Sequence, residues 1–482
     1  MADLTKKKEK LGLLSLAAIV LSAMIGGGIF DLPKNMATNA GAQAQIIAWT
    51  TVGIGMWFVT SMFLKLAELK PNLTTGLYKY GEAGFGKFTG FFVSWGYWIS
   101  ECFSNVAYAV LLMSTLNYFF PGKFTGGNNW LSVIISSIIL WMMAFVIIVG
   151  VKQASWVNVV GTVGRLTVIM IFIVALAIHF KWDVFTTNFS AVHAMPSVQD
   201  PAMGSIPKQV LKTMTVTLWA FGGIEGAVVL SDRAKSQKDV KKATALGFFV
   251  CLVLYVLVSL LPLGLVSYGI VAKMVSPSSA QLLSLALHNP AGRLIMAGGL
   301  IISVFSSWLT WTMMLAEMPY AAAKDGAFPK IFKKENKNQV PVVSLIIATI
   351  IMQGIIFVSH YASNAFEMAY TIVATMTVPP YLASAMYLIK ISAKKELYPA
   401  KNGRTSALIT GILAAIYILI MGISAGVEYI TISFVIYALG IPLFIKARKE
   451  SALDEPIFTK YEKVFAAIVV LIAIMGIIIM FS

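Results

Sequence analysis

Charged residues make up only 12% of this chain, roughly half the share usual in soluble domains. With 58% of its 482 residues hydrophobic, it lacks the polar surface a water-soluble particle of that size needs, so it is an integral membrane protein. Cysteine is scarce: Cys102 and Cys251 both lie in apolar stretches, which excludes a disulfide framework and any Cys-x-x-Cys metal or redox site. The four histidines, His179, His193, His288 and His360, are scattered in loops and near segment ends, so no metal site with helical ligand spacing can be drawn. No His-Glu-x-x-His motif, nucleophile elbow or phosphate-binding glycine turn is present. Neither an enzyme nor a bound cofactor is therefore expected.

What the chain has is apolar length. Runs of about twenty residues, the reach of a bilayer-spanning helix, centre on 12–39, 43–67, 89–118, 130–151 and 155–180. A second group follows at 209–231, 243–269, 291–322, 341–359 and 364–391, and three more lie at 405–425, 427–447 and 461–481. The expectation is thus an all-α, polytopic protein of about thirteen spans. The opening "MADLTKKKEK" is too polar for a signal peptide, and residues 1–10 read as a cytoplasmic tail.

A net charge of +16 could indicate nucleic acid, but the placement of the basic residues decides otherwise. Alternate loops carry Lys70, Lys79 and Lys87, then Lys152, then "SDRAKSQKDVKKA" with Arg233 and Lys235, and further on Lys330, Lys333, Lys334, Lys394, Lys395 and Arg404. The intervening loops hold little beyond Lys34, Lys123, Lys181 and Lys273. This asymmetry obeys the positive-inside rule with the N-terminus in the cytoplasm of a cell-membrane protein. The partner of the charge is the lipid bilayer, whose anionic inner leaflet attracts such loops; no loop is long enough to form a nucleic-acid-binding domain.

Two spans depart from uniform apolar helix. The first contains "AMIGGGIFDLP", with Gly26, Gly27 and Gly28 in a row; the sixth contains "TLWAFGGIEGAVVLSDRA", with Gly222, Gly223, Glu225 and Gly226. They hold corresponding places in two successive groups of five. Glycines in membrane helices often serve only close packing. Unwound backbone at membrane depth, by contrast, is tolerated where it is buried in protein or lines a polar cavity, and paired breaks point to a transporter site at the midplane.

Polar residues near the breaks sharpen this reading. Glu225 sits where an unpaired carboxylate costs at least ~2.5 kcal/mol on insertion scales, so it is either functional or an interhelical partner. Glu101, in "YWISECFSNVAY", is a second acid within a span. Arg165, in "NVVGTVGRLTVIM", is the one basic residue well inside a helix. It keeps its charge at any ordinary pH, so it must meet a carboxylate, carbonyls or water, and it could stand where a coupling metal ion would otherwise sit. Trp219 and Phe221 flank the sixth break, while Tyr97 and Trp311 lie in spans expected to surround it; such rings either pack or close over a cationic substrate.

Together "MIGGGIFDLP", "WAFGGIEGAVVLSDRAK", "NVAYAVLLMSTLNYFFP" and "AEMPYAAAKDGAFPK" resemble the amino acid/polyamine antiporters of the amino acid-polyamine-organocation (APC) superfamily over nearly the whole chain. The resemblance implies a LeuT-like fold: residues 11–180 and 209–391 form two inverted five-helix repeats, helices 1 and 6 are discontinuous, and 405–481 adds further helices. It implies that Gly26, Gly27 and Gly28 hold the substrate's α-carboxylate, although one relative has serine where Gly27 stands. It places the family's gating tryptophan on Trp219, its sixth-helix glutamate on Glu225, its eighth-helix tryptophan on Trp311 and its third-helix tyrosine on Tyr97. Arg165 matches a position where some relatives use a lysine in place of sodium. Glu101 and the thirteenth span depart from the family pattern. A homodimer is compatible with the resemblance.

The expected chemistry is binding and exchange, with no covalent step. Free N–H groups near Gly28 would take a carboxylate, and carbonyls freed around Ile25 and Phe221 would take an ammonium. Trp219, Gly222, Trp311, Tyr97, Glu225 and Glu101 would meet the distal end. The resemblance implies import of an amino acid in exchange for its decarboxylated or related cationic product. Histidine/histamine is the first expectation for the pair, followed by arginine/ornithine, tyrosine/tyramine and lysine/cadaverine. The alternative is a proton-coupled amino acid permease with Glu225 as the proton carrier.

Overall fold

A computed structural model describes residues 12–73, 77–149, 154–194, 200–225, 235–451 and 456–481. The tail 1–10, Lys152, Gly226 and Arg233 lie outside the described residues. The described chain is helical, with no sheet, as a bilayer demands: only helices satisfy every backbone group within one segment.

Among the described residues, eleven helices are long and apolar enough to cross a membrane. They are the spans expected from the sequence other than the first and the sixth, for instance the third, Lys87–Leu116, the eighth, Ala291–Lys324, and the tenth, Ala365–Ala393. The first and sixth fall short because they are interrupted. Leu13–Met24 is α-helical, Ile25 and Gly26 leave the helix, and the chain resumes as a 3-10 turn over Gly27–Phe30 and a short α-helix over Leu32–Ala37. In the sixth, the helix Ile206–Ala220 gives way to non-helical backbone at 221–225.

Burial orders the spans. The third is 89% buried and the tenth 72%, against 28% for the thirteenth, so the former stand at the centre beside the two breaks. The third packs on the eighth and tenth, and the first on the seventh, Gln237–Leu260. The centre is also where prolines are tolerated. Pro319 leaves the carbonyl of Leu315 without its helical donor, and the Trp98 indole N–H donates to it at 2.9 Å. Pro380 does the same to Met376, whose carbonyl accepts from the Tyr437 hydroxyl at 2.7 Å. The tenth span starts on an N-cap: the Asn364 side chain accepts from the Glu367 N–H at 3.1 Å, and its amide also donates to the Glu367 carboxylate at 2.9 Å.

Short helices decorate the two faces. Leu77–Phe85 follows the second span on the face of the basic loops, while Tyr268–Ala272 and Ser278–Ala286 follow the seventh on the opposite face. None is long enough to cross a bilayer, which is why apolar run length gave no sign of them.

Candidate substrate-binding site

The three glycines each answer to a different neighbour. A methyl group on Gly26 would lie 2.5 Å from the Tyr108 hydroxyl, and one on Gly27 would lie 2.7 Å from Leu111 and 2.8 Å from Val304. At Gly28 it would run into the indole of Trp219. The ring of the sixth span therefore rests on the backbone of the first, backed by Phe366 and Tyr370 of the tenth, each with ring centroids 5.6 Å away. Gly27 faces packed side chains, so a serine at this position would have no room without a shift of Leu111 or Val304. The breaks themselves also touch: Gly223, at φ +93°, lies so close to Ala23 that an added methyl would meet its backbone at 2.9 Å.

Ending a helix inside protein orphans its last carbonyls, and two side chains take up those of the first span. Arg165, fully buried on the fifth span, donates to the Ser22 carbonyl at 3.1 Å and to that of Ile25, and back to Gly161 of its own helix at 3.3 Å. Of the partners the sequence allowed, carbonyls are the ones it finds. The Tyr255 hydroxyl of the seventh span lies 2.7 Å from the carbonyls of both Met24 and Ala220, one from each break. A hydroxyl has a single proton, so it serves only one of them at a time and leaves acceptor capacity on the other.

A cavity of about 40 Å³ lies between these groups. Of the residues expected at a site, Gly26, Gly28, Glu101, Trp219, Gly222 and Trp311 line it, joined by Met24, Ser104, Tyr108, Ala220 and Tyr255. Ile25, Gly27, Tyr97, Phe221 and Glu225 stand behind its wall. The Ile25 carbonyl, expected to face an ammonium, is engaged by Arg165, and the Phe221 carbonyl by the Ile224 N–H at 3.4 Å; Met24 and Ala220 line the cavity instead, the Met24 carbonyl also accepting from the Gly26 N–H at 3.0 Å. Glu225, 2% exposed, accepts from the hydroxyls of Tyr97 and of Tyr381, the latter at 2.6 Å. Among the described residues no lysine, arginine or histidine forms an ion pair with Glu101 or Glu225.

The model of the amino acid permease family matches residues 11–447. The chain belongs to that family. Within it, the chain falls in the amino acid/polyamine antiporter group of the APC superfamily, a family of transporters and not of enzymes. A Clostridium perfringens (strain 13 / Type A) protein provisionally named as an amino-acid transporter is 52% identical over 98% of this chain and 99% of its own length. The arginine/agmatine antiporter of Chlamydia felis is 45% identical over 98% of this chain and 97% of its own, and that of Chlamydia pneumoniae 44% identical over 99% and 98%.

In this permease, sequence reasoning missed Tyr255, Tyr381, Tyr108 and Ser104. Each is a single polar group in a long apolar span, where composition is dominated by its neighbours. The Pro379–Pro380 pair just before Tyr381 was the one available signal, since it marks an irregular helix at a buried centre.

Proposed function

We propose that this permease is a secondary-active antiporter that takes up a cationic amino acid and releases a cationic amine, with arginine and agmatine as the pair. The observation that carries the cationic reading is the pair of buried carboxylates, Glu101 and Glu225, with no cationic partner among the described residues beside an aromatic cavity. A buried carboxylate without a counter-charge is costly, and here the missing positive charge is the cargo's. The pair itself is suggested by relatives named arginine/agmatine antiporters that align over nearly the full chain. Histidine/histamine, arginine/ornithine, tyrosine/tyramine and lysine/cadaverine rank behind it.

In this reading the free backbone at Gly26–Gly28 receives the α-carboxylate. The N–H groups of Gly27 and Gly28 open the 3-10 turn, where the first donors have no partner within the turn. The carbonyls of Met24 and Ala220 receive the α-ammonium, and Trp219 and Trp311 cover the chain of the substrate. Arg165 holds the first break in place of a coupling ion. The underlying architecture is the LeuT-like pair of inverted repeats, 11–180 and 209–391, with 405–481 added. It is supported by interruptions five spans apart and by short helices following the second and seventh spans on opposite faces. The basic loops and N-terminal tail face the cytoplasm of a cell membrane.

Displacement of labelled arginine from the purified protein by a panel of amino acids and their decarboxylation products tests the pair. Agmatine is expected to compete best among the amines; stronger competition by histamine, tyramine or cadaverine overturns the assignment.

A further inference from the structure

The two buried acids are not equivalent. Both oxygens of Glu225 are engaged, one by Tyr97 and one by Tyr381, and none of these three residues lines the cavity. Glu101 does line it, beside Ser104, Tyr108 and Trp311. It lies one helical turn beyond Tyr97 on the third span, so it occupies the same face as the Tyr97–Glu225 pair but reaches the cavity. The guanidinium of Arg165 is spent on the carbonyls of Ser22, Ile25 and Gly161 and neutralises neither acid directly.

Building on the cationic-antiporter reading, we propose that Glu101 selects the cargo by charge and makes exchange obligatory. The carboxylate pairs with the cation at the distal end of the substrate. Amino acid and amine both keep that group, because decarboxylation removes only the α-carboxylate, so one acid serves both directions of the cycle. When the cavity is empty, closing it would bury the Glu101 charge without a partner, which disfavours passage of the unloaded carrier. A neutral cargo of the same shape leaves the charge equally uncompensated and is rejected by unmet pairing, with no steric clash required.

Citrulline, the uncharged isostere of arginine, separates charge from shape. In proteoliposomes loaded with agmatine, the wild-type protein is expected to favour arginine over citrulline by on the order of a hundredfold, the scale of a truncated buried charge pair. Glu101→Gln should bring the two within about threefold, by admitting citrulline, and should raise arginine entry into empty vesicles toward the rate in loaded ones. Gain of citrulline transport is a result that a misfolded protein cannot produce. Glu101→Asp provides the second arm: drawing the carboxylate back by one methylene should raise the KM for arginine more than that for citrulline. An unchanged arginine/citrulline ratio in Glu101→Gln, or loss of both substrates together in both variants, overturns the proposal. If the wild-type protein itself fails to exchange arginine for agmatine, the functional reading fails instead.

Discussion

Replacing Gly223 by alanine loads strain on the point where the two interrupted spans meet. At φ +93° the backbone is in a region that costs an L-residue roughly 1–2 kcal/mol. The new methyl would also lie 2.9 Å from the backbone of Ala23, where ordinary contacts start near 3.4 Å, so the breaks must part by about half an ångström. Backbone cannot swing aside as a side-chain tip does, and such overpacking adds about 1–3 kcal/mol. The sum, about 2–5 kcal/mol, falls on every state in which the breaks touch, and corresponds to roughly 30- to 5,000-fold in an equilibrium constant. The matched control is Gly298→Ala in the eighth span, where an added methyl meets nothing within 4 Å and alanine should stabilise the helix slightly. Exchange of labelled arginine in proteoliposomes, with thermal melting in detergent, reads both. Loss of exchange in Gly223→Ala alone is expected; equal activity in the two variants would refute the claim that contact between the breaks builds the site.

Three further outcomes follow from the same geometry. Arg165→Ala leaves the carbonyls of Ser22 and Ile25 without a donor and should cut exchange at least about tenfold, whereas Arg165→Lys, which keeps a buried cation, should retain more; equal rates in the two contradict the anchoring role. Tyr381→Phe removes the 2.6 Å hydrogen bond to Glu225, worth about 1.5–3 kcal/mol to a charged acceptor, and should slow exchange tenfold or more. Since Tyr381 does not line the cavity, arginine affinity measured by displacement should change far less than the rate. Arginine carries one net positive charge and agmatine two, so the proposed cycle moves charge outward. An inside-positive potential should speed arginine entry into agmatine-loaded vesicles and leave arginine/arginine exchange unaffected; voltage-insensitive heterologous exchange argues against this pair.

Much of the architecture was legible because it is written in run length. Among the described residues, eleven apolar runs fold as helical spans long enough to cross a membrane, and the two that carry glycine clusters are the two that fall short of one. Arg165 was legible as a demand for partners, since a guanidinium cannot shed its charge, but the identity of those partners required knowing that the helix opening the first span ends two residues beyond Ser22. The hydroxyl of Tyr255 bridges two breaks that are nearly two hundred residues apart in sequence, and no local pattern encodes such a meeting. The two acids illustrate the same limit. Both are isolated carboxylates in apolar spans, and only the position of Tyr97 and Tyr381 separates the one held by two tyrosines behind the wall from the one that lines the cavity beside Ser104.

Obligatory exchange is the central claim, and uptake of labelled arginine into paired sets of proteoliposomes, one loaded with agmatine and one empty, tests it most directly. The account predicts rapid uptake in the loaded set and little in the empty one, with or without a proton gradient. Equal uptake in both sets, or uptake into empty vesicles driven by an imposed proton gradient, would contradict it and identify a proton-coupled permease instead.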